Sequence, residues 1–421
     1  MINMAKKDRE KKVKYTTGQG ISKARLAYEI HDLKRYQKLE DYKDVFYQCG
    51  KCGTCRTVYK DAYWSRVCPS GEFGKFEAYY LGGKNLLTWA LTSGKLDWSK
   101  EIAEIFYQCS VCMACIQQCQ IPEIHSFAGE WLMAMREEAV KLGYGPMPEQ
   151  KLYTEHTMTE KNPYMEKHED RVNWLPSHIK QSPDAKLAFF VGCTSSYREQ
   201  SVAIATAEIL NALNIDFKIL TDEGCCGSPV YMTGQVQKAK ELAEKNVTIF
   251  KDAGIEKIIT SCAGCYRTWK DTYPNKFGLN HGIEIQHLPE FLRNLLKRGE
   301  LEFKNDLNMK ITYHDPCHIG RHMGIYKAPR DVLENIPGVE LVEMTRNRHN
   351  AWCCGSGGGV RSAFKELSSF AAKERIKEAK ETAAQAIVSC CPFCLNQFRS
   401  NIENNEIDAL DLSELVKKAI L

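Results

Sequence analysis

The sequence predicts an α+β multidomain protein, in which a helical N-terminal module precedes two copies of an α/β unit with a short parallel sheet. Three observations support this prediction. Apolar residues before residue 145 recur at helical spacing without strand alternation. After residue 185, short apolar runs alternate with helical stretches, as in parallel sheets. One cysteine pattern also occurs twice in this second part, which marks an internal repeat.

These patterns divide the chain into five segments. A connector is assigned where polar residues and five prolines interrupt the regular patterns. The segments are a helical, basic extension at 1–44, a cysteine-rich helical module at 45–144, the connector at 145–184, and the repeated units at 185–305 and 306–421.

The elements of the repeated units follow from short apolar runs and from helical periodicity. Strands are predicted at 187–191, 216–220, 257–260, 311–313 and 386–388, and helices at 201–213, 236–250 and 363–382. Because parallel strands present ligands from the loops at their carboxyl ends, the cysteines that follow these strands are expected to form sites. The two units are expected to face each other across a pseudo-two-fold axis.

Composition narrows the class of protein. The chain has 421 residues, of which 43% are hydrophobic and 26% charged, as in soluble globular proteins. It contains no apolar run long enough to span a membrane and no apolar segment of a secretory signal at its charged N-terminus. A net charge of +4 is too small to predict nucleic-acid binding. The expectation is a cytoplasmic protein that reaches the inner face of a membrane only through a partner.

Nineteen cysteines dominate the chemistry of the sequence. In a reducing compartment, metal ligands or redox thiols are the default interpretation of so many cysteines. The series Cys109-x2-Cys112-x2-Cys115-x3-Cys119 has the spacing of a two-cluster bacterial ferredoxin, in which the fourth cysteine binds the neighbouring cluster. An earlier series, Cys49-x2-Cys52-x2-Cys55, reaches its fourth member, Cys68, only after a longer gap.

The crossing rule of such ferredoxins predicts two cubane [4Fe-4S] clusters. One is assigned to Cys49, Cys52, Cys55 and Cys119, and the other to Cys109, Cys112, Cys115 and Cys68. Structural zinc is the alternative, but two CxxC pairs satisfy a zinc ion, and the third closely spaced cysteine of each series would be superfluous.

The repeated units each contain five cysteines at matching positions. The first set is Cys193, Cys225, Cys226, Cys262 and Cys265, and the second set is Cys317, Cys353, Cys354, Cys391 and Cys394. Equivalent members are 124 to 129 residues apart. Five thiols are more than a zinc ion or an ordinary cubane requires. Adjacent cysteines also direct their side chains differently, which suits a larger and less symmetric cluster.

This arrangement resembles the CCG-domain proteins, and most closely the catalytic subunit of the membrane-associated heterodisulfide reductases. The similar segments are residues 313–344 and the run CCGSGGG at 353–359, and the resemblance extends over nearly the whole chain after about residue 45. It implies that each five-cysteine set binds a noncubane [4Fe-4S] cluster and that a disulfide is cleaved between the two. The ferredoxin-type clusters would supply these centres with electrons.

The resemblance also implies partners. A b-type cytochrome in the membrane, a flavoprotein or an electron-transfer flavoprotein would exchange electrons with the chain, and a disulfide or dithiol would be the substrate. The same layout resembles the iron-sulfur subunits of glycolate, lactate or glycerol-3-phosphate dehydrogenases, which only relay electrons from a flavoprotein toward quinone. A scaffold stabilised by its clusters is a third interpretation, but structure alone needs no series of redox centres.

Several residues beside the cysteines are candidates for further roles. His314 and His318 flank Cys317 and are candidate proton donors to the departing thiolates. Gly227, Gly355 and Gly357 are expected to let the backbone approach the clusters. The glycine run after Cys354 does not match GxGxxG, so no nicotinamide or flavin is predicted. Cys390 is interpreted as a buried bystander.

Overall fold

A computed structural model of the chain describes residues 39–57, 64–404 and 406–421. Most of the predicted basic extension at 1–44 therefore lies outside the described residues. None of the helices in the described ranges combines the length and the apolar character that a membrane span requires.

The described part of the cysteine-rich module, between residues 39 and 144, is built from helices and turns. Its α-helices are α1 (Lys43–Phe46), α2 (Pro69–Gly74), α3 (Leu81–Thr92), α4 (Lys100–Tyr107), α5 (Ala114–Gln117) and α6 (Pro122–Lys141), with 3-10 helices at Leu39–Tyr42 and Glu77–Tyr79. The predicted helical face behind Cys119 belongs to α6, where Trp131 is fully buried and its ring contacts Phe46 edge-on. Proline at the first position of α6 starts that helix because it needs no backbone hydrogen bond there.

The segment assigned as a connector is more regular than its composition predicts. It contains helix α7 (Pro148–Glu160) and a 3-10 helix at His168–Val172. Tyr153 of α7 donates a hydrogen bond to the carbonyl of Pro229, and Gln150 donates to the carbonyl of Gly359. The segment thus packs between the two repeated units as well as joining them to the N-terminal module.

The first CCG unit, residues 185–305, is an α/β layer around three parallel strands. They are β1 (Leu187–Phe189), β2 (Lys257–Thr260) and β3 (Glu284–His287), in the order β1-β2-β3. The register places Phe189 beside Ile259 and Thr260 beside His287. The helices are α8 (Cys193–Tyr197), α9 (Gln200–Ala212), α10 (Ser228–Tyr231), α11 (Val236–Asp252), α12 (Ala263–Arg267), a π-helix at Thr268–Lys276, and α13 (Leu288–Arg298).

The second CCG unit, residues 306–421, has the same layers and one more complete strand. Its strands are β4 (Met309–Tyr313), β5 (Val339–Val342), β6 (Ala386–Ser389) and β7 (Asp408–Asp411), all parallel in the order β5-β4-β6-β7. The helices are α14 (Lys327–Glu334), a 3-10 helix at Arg348–Asn350, α15 (Val360–Ala363), α16 (Lys365–Lys380), α17 (Pro392–Arg399) and α18 (Leu412–Ile420). The prediction of two repeated α/β units with short parallel sheets is confirmed.

One predicted strand, at 216–220, is reduced to a single bridge. Lys218 pairs with Ala188 in the parallel sense, through hydrogen bonds to the backbone on either side of it. The next donor, the Ile219 N–H, bonds to the side chain of Gln181 instead of to β1. Because a side chain takes this backbone group, the ladder stops where β5 continues in the second unit.

The two CCG units pack through two reciprocal pairs of helices. Helix α9 of the first unit packs against α18 of the second, and α13 of the first packs against α14 of the second. Buried residues of both units form one continuous hydrophobic core. This reciprocal pairing is the arrangement that a pseudo-two-fold axis produces, and it turns the two cysteine sets toward each other.

Arg136 of α6 holds the N-terminal module against both units. Its fully buried guanidinium donates hydrogen bonds to the carbonyls of Phe106 at 2.8 Å, Met232 at 2.6 Å and Gly358 at 2.9 Å. These three carbonyls belong to α4, the first unit and the second unit respectively. One side chain therefore fixes the relative position of three parts of the chain.

Candidate metal centre

In both CCG units the cysteines follow the carboxyl ends of neighbouring strands. Cys193 begins α8 after β1, and Cys262 caps α12 after β2. In the second unit, Cys317 follows β4 and Cys391 caps α17 after β6. Because adjacent parallel strands end at one edge of a sheet, residues far apart in sequence meet there.

A glycine makes room for the sulfurs of the first set. Gly192, which immediately precedes Cys193, has φ +74° and lies so close to Cys265 that a Cβ atom would come within 2.9 Å of its Sγ. Residues with a Cβ rarely adopt this backbone conformation. The turn after β1 therefore depends on glycine for both its shape and its space.

The two Cys-Cys-Gly turns have the same local geometry. The N–H of Gly227 points to the Sγ of Cys225 at 3.5 Å, and the N–H of Gly355 points to the Sγ of Cys353 at 3.4 Å. Both glycines are left-handed, with φ of +82° and +88°. Each turn thus directs a backbone donor at the first sulfur of its pair, as a sulfur that carries negative charge requires.

Within each set the thiols form a chain of close contacts. The contacts of the first set join Cys193 to Cys225, Cys225 to Cys226, Cys226 to Cys265, and Cys265 to Cys262. Those of the second set join Cys317 to Cys353, Cys353 to Cys354, Cys354 to Cys394, and Cys394 to Cys391. In the second set, the sulfurs of Cys354 and Cys394 are 3.3 Å apart.

A cavity of about 560 Å³ lies between the two sets. Nine of the ten cysteines line it, together with His318, Arg361 and the backbone of Gly357 and its two glycine neighbours. Across the cavity wall, the thiol of Cys262 contacts that of Cys391. The fold therefore brings both five-cysteine sets to one enclosed space.

The second cysteine of each Cys-Cys pair is poised to ionise. Hydrogen bonds from the thiols of Cys225 and Cys265 hold the pKa of the Cys226 thiol well below its usual range. The thiols of Cys353 and Cys394 lower the pKa of Cys354 in the same way. Metal ligation requires the thiolate form, so both turns present a sulfur that loses its proton readily.

The cysteines of the N-terminal module form two groups, which we call the outer quartet (Cys49, Cys52, Cys55 and Cys119) and the inner quartet (Cys68, Cys109, Cys112 and Cys115). Burial raises the pKa of the Cys119 thiol to about 11, and the other three thiols of the outer quartet contribute to that rise. The four inner cysteines line one small cavity. The chain folds so that each group of three closely spaced cysteines meets the distant fourth cysteine of the other series.

The inner quartet touches the second CCG unit directly. The thiols of Cys112 and Cys353 share a hydrogen bond, and both residues belong to one small buried cluster. Arg321 clamps this junction, since its guanidinium donates to the carbonyl of Cys112 at 2.6 Å and to that of Ala351 at 2.6 Å. By contrast, Cys52 of the outer quartet is exposed to solvent. The four groups of cysteines thus form a series that leads from the surface to the cavity.

The structure separates the two histidines that the sequence places beside Cys317. His318 lines the cavity, and burial lowers its pKa to about 4, so its ring is neutral at pH 7. His314 is not among the described residues that line the cavity; it is 1% exposed and contacts the thiol of Cys354. Cys390 is buried, and its sulfur is 2.8 Å from the hydroxyl of Tyr313. The roles predicted for these residues stay predictions.

The donor set of the four groups fits iron-sulfur clusters. All nineteen cysteines lie in the described ranges and all are free thiols, although sulfurs within one set approach to 3.3 Å. Each CCG set offers five thiols, which exceeds the four ligands of a structural zinc ion. Thiolate-rich sites with backbone donors directed at sulfur are typical of iron-sulfur proteins.

Sequence reasoning missed the buried charges around the cysteines. Arg171 forms a fully buried ion pair with Glu223, and its other nitrogen lies 3.7 Å from the sulfur of Cys193. Glu223 also accepts the backbone N–H groups of Val191 and Gly192, which fixes the turn before Cys193. No periodicity identifies such a pair, because its members come from different segments and look like ordinary surface residues in the sequence.

Comparisons with known proteins agree with this architecture. The profile of the CCG cysteine-rich domain matches residues 187–270 and 311–399. An iron-sulfur subunit of the dihydromethanophenazine:CoB–CoM heterodisulfide reductase of Methanosarcina mazei is 38% identical over 327 residues, which cover 76% of this chain and 79% of that protein. The corresponding subunit of the Methanosarcina acetivorans reductase is 37% identical over 89% of this chain and 93% of its own.

A more distant relative has a different name. The EtfAB:quinone oxidoreductase of Syntrophomonas wolfei is 28% identical over 76% of this chain and 47% of its own length. The match to the Methanosarcina reductase subunits is both closer and more complete for the relative's own chain. The chain therefore belongs to the same family as these heterodisulfide reductase subunits, a family of iron-sulfur oxidoreductases, and carries two CCG domains.

Proposed function

We propose that the chain passes electrons through two cubane [4Fe-4S] clusters to two noncubane [4Fe-4S] clusters, between which a disulfide is reduced to two thiols or formed from them. The outer and inner quartets would hold the cubanes, and the first and second CCG sets would hold the noncubane clusters. When bound, these clusters supply one-electron transfer, and the reduction of a disulfide requires two electrons.

The observation that carries this proposal is the shared cavity. A disulfide inside it would be flanked by Cys226 and Cys265 of the first set and by Cys354 and Cys394 of the second, which all belong to the wall. The balanced reaction is RSSR′ + 2e⁻ + 2H⁺ → RSH + R′SH. A relay alone would need no enclosed space between two redox centres.

The junction between Cys112 and Cys353 supports an order of electron transfer. Electrons from a redox partner subunit would enter at the outer quartet, where Cys52 is exposed, and continue to the inner quartet. From there the direct contact leads to the second CCG set, and the contact between Cys262 and Cys391 leads on to the first. A b-type cytochrome or a flavoprotein is the class of partner that supplies electrons singly.

The cavity also bears on the substrate. Its volume of about 560 Å³ falls within the range of small-molecule pockets, about 300–1,000 Å³. A heterodisulfide of two small thiols, such as the CoB–CoM heterodisulfide in the names of the Methanosarcina relatives, is therefore favoured over a protein disulfide.

A relay to quinone from an electron-transfer flavoprotein is the second candidate. It is favoured by the similarity to EtfAB:quinone oxidoreductase, and it would use the same clusters. In that function the cavity would bind no disulfide. The two candidates therefore differ in whether thiols change the state of the clusters in the CCG sets.

The experiment compares wild-type protein with Cys354→Ser and with Cys390→Ser as a matched control, because both cysteines are buried in the second unit but only Cys354 belongs to a set. Anaerobically purified wild type should contain about sixteen iron atoms per chain. Addition of candidate thiols to the oxidised protein should produce a new electron paramagnetic resonance (EPR) signal. Cys354→Ser should lose iron and that signal, whereas Cys390→Ser should retain both.

The possible results separate the candidates. Full iron without a thiol-dependent signal or disulfide turnover would assign the relay function. Zinc in place of iron, or far less iron than four clusters require, would overturn both candidates.

A further inference from the structure

The two CCG units differ at one position that the strands make structurally equivalent. His314 directly follows β4, and its backbone N–H donates to the carbonyl of Val388 at 2.8 Å. Phe190 directly follows β1, and its N–H donates to the carbonyl of Ile259 at 2.9 Å. Each position precedes the first cysteine of its set by three residues. The backbone is thus the same in the two units while the side chain changes from an aromatic hydrocarbon to an imidazole.

The surroundings of the two side chains differ accordingly. Phe190 packs in an apolar cluster, with its ring 5.7 Å from that of Phe250 and 5.6 Å from that of Trp269. His314 instead begins a buried polar chain. The Nε of Arg375 lies 3.1 Å from its Nδ1, and the Nη1 of Arg375 lies 2.7 Å from a carboxylate oxygen of Glu378.

This polar chain fixes the protonation of the imidazole. A guanidinium can only donate hydrogen bonds, so Nδ1 of His314 must accept and the ring proton must reside on Nε2. Burial lowers the pKa of His314, which keeps the ring neutral with that single proton. The ring also contacts Phe398 edge-on at a centroid distance of 4.9 Å, which restricts its rotation.

The remaining hydrogen bond of the imidazole goes to the thiol of Cys354. Nε2–H is therefore a fixed donor to this sulfur. In the first unit the equivalent sulfur, Cys226, contacts the hydroxyl of Thr268. That hydroxyl has one proton and directs it to the carbonyl of Gly264 at 2.8 Å. The two sets thus differ in how firmly a donor is held on the second cysteine of the pair.

We propose that His314 is a positioning residue that donates a hydrogen bond to the Cys354 sulfur and thereby raises the reduction potential of the cluster in the second set above that of the first. The inference rests on the proposed function in so far as both sets bind clusters. Hydrogen bonds to the sulfur ligands stabilise the more negative, reduced state of a cluster.

The location of His314 gives this tuning a role in electron transfer. The second set is the one that touches the inner quartet through Cys112 and Cys353. In the transfer between them, the inner centre loses one electron and the second-set centre gains it. A higher potential on the second set favours this step and holds the first electron next to the cavity until another arrives.

The test compares His314→Gln with His314→Met in the full-length chain with its clusters. Glutamine can accept from Arg375 through its carbonyl and donate to Cys354 through its amide, whereas methionine can do neither. Redox titration monitored by EPR should show that His314→Met makes reduction of the second-set cluster about tenfold less favourable, which is about 59 mV for a one-electron couple. His314→Gln should remain close to wild type, and the two quartets should be unaffected in both variants.

An unchanged potential in His314→Met at full iron content would overturn the proposal, and so would equal shifts in the two variants. A measurement on the wild type keeps the proposal falsifiable if methionine prevents cluster binding. Electron-nuclear double resonance with ¹⁵N-histidine labelling should detect a histidine N–H coupled to the second-set cluster, and its absence would also overturn the proposal. Wild-type protein without clusters in the CCG sets would instead refute the proposed function.

Discussion

Gly192→Ala tests how strictly the turn before Cys193 positions the sulfurs of the first CCG set. Gly192 has φ +74° and ψ +155°. Backbone in this region is essentially confined to glycine, and another residue there costs about 1–3 kcal/mol. A Cβ at this position would also lie 2.9 Å from the Sγ of Cys265.

The two effects have different consequences. The backbone cost lowers the free energy of unfolding, because alanine must be held in the strained conformation. The contact with Cys265 involves the end of a side chain, which can rotate away at little cost in stability. That rotation displaces a proposed cluster ligand, so the contact should appear in metal content rather than in stability.

Gly254→Ala is the matched control. Gly254 also has a positive φ, +69°, but a Cβ there meets nothing within 4 Å. We expect Gly254→Ala to lower the free energy of unfolding by about 1 kcal/mol and to leave the iron content unchanged. Gly192→Ala should lose about 1–3 kcal/mol and about four iron atoms per chain.

Anaerobic urea unfolding and iron analysis of the wild type and both variants measure these effects. If Gly192→Ala retained all of its iron, the close approach of Gly192 to Cys265 would not position a ligand. If it also unfolded at the wild-type urea concentration, the backbone argument would fail as well.

Three further predictions concern the second unit. Glu378→Gln leaves two buried guanidinium groups without their shared carboxylate, so urea unfolding should show a loss of about 3–5 kcal/mol, and a loss below about 1 kcal/mol would contradict the assignment. Burial raises the pKa of Asp411 to about 8, above about 3.9 in the unfolded chain, so this carboxyl favours the folded state at low pH. The wild-type free energy of unfolding should decline as the pH rises from about 4 to 8, and in Asp411→Asn the decline should be smaller. Gly358→Ala places a Cβ 2.7 Å from the carbonyl of Cys109, and rapid-freeze EPR should show slower reduction of the second CCG set; an unchanged rate would indicate that this contact does not hold the junction.

The sequence was sufficient to predict the strands that deliver cysteines. The strands before Cys193, Cys262, Cys317 and Cys391 lie where short apolar runs predict them, because these central strands are buried on both faces. The strands β3, β5 and β7 were missed. In β5 no residue is fully buried, and β3 and β7 each begin with an exposed acidic residue. Such edge strands lack the continuous apolar run that identifies central ones.

The grouping of cysteines could be proposed from spacing, but their surroundings could not. Sequence offsets give the repeated sets, and the structure brings the members of each set together. The connector helix α7 was missed because its buried positions are polar, including Gln150 and Thr157. Gln150 forms a hydrogen bond across a module boundary, for which a single sequence carries no periodic signal.

The repeat also explains why symmetry alone does not describe this site. Duplication of one α/β unit supplies two equivalent strand edges, and their reciprocal helix contacts turn ten cysteines toward one cavity. Electrons, however, would enter from one side, because Cys112 of the inner quartet contacts Cys353 of the second set. An unsymmetric supply to a symmetric pair of centres requires that the centres differ in electron affinity. The change from Phe190 to His314 alters the donor to sulfur without altering the backbone, and so meets this requirement within the duplicated fold.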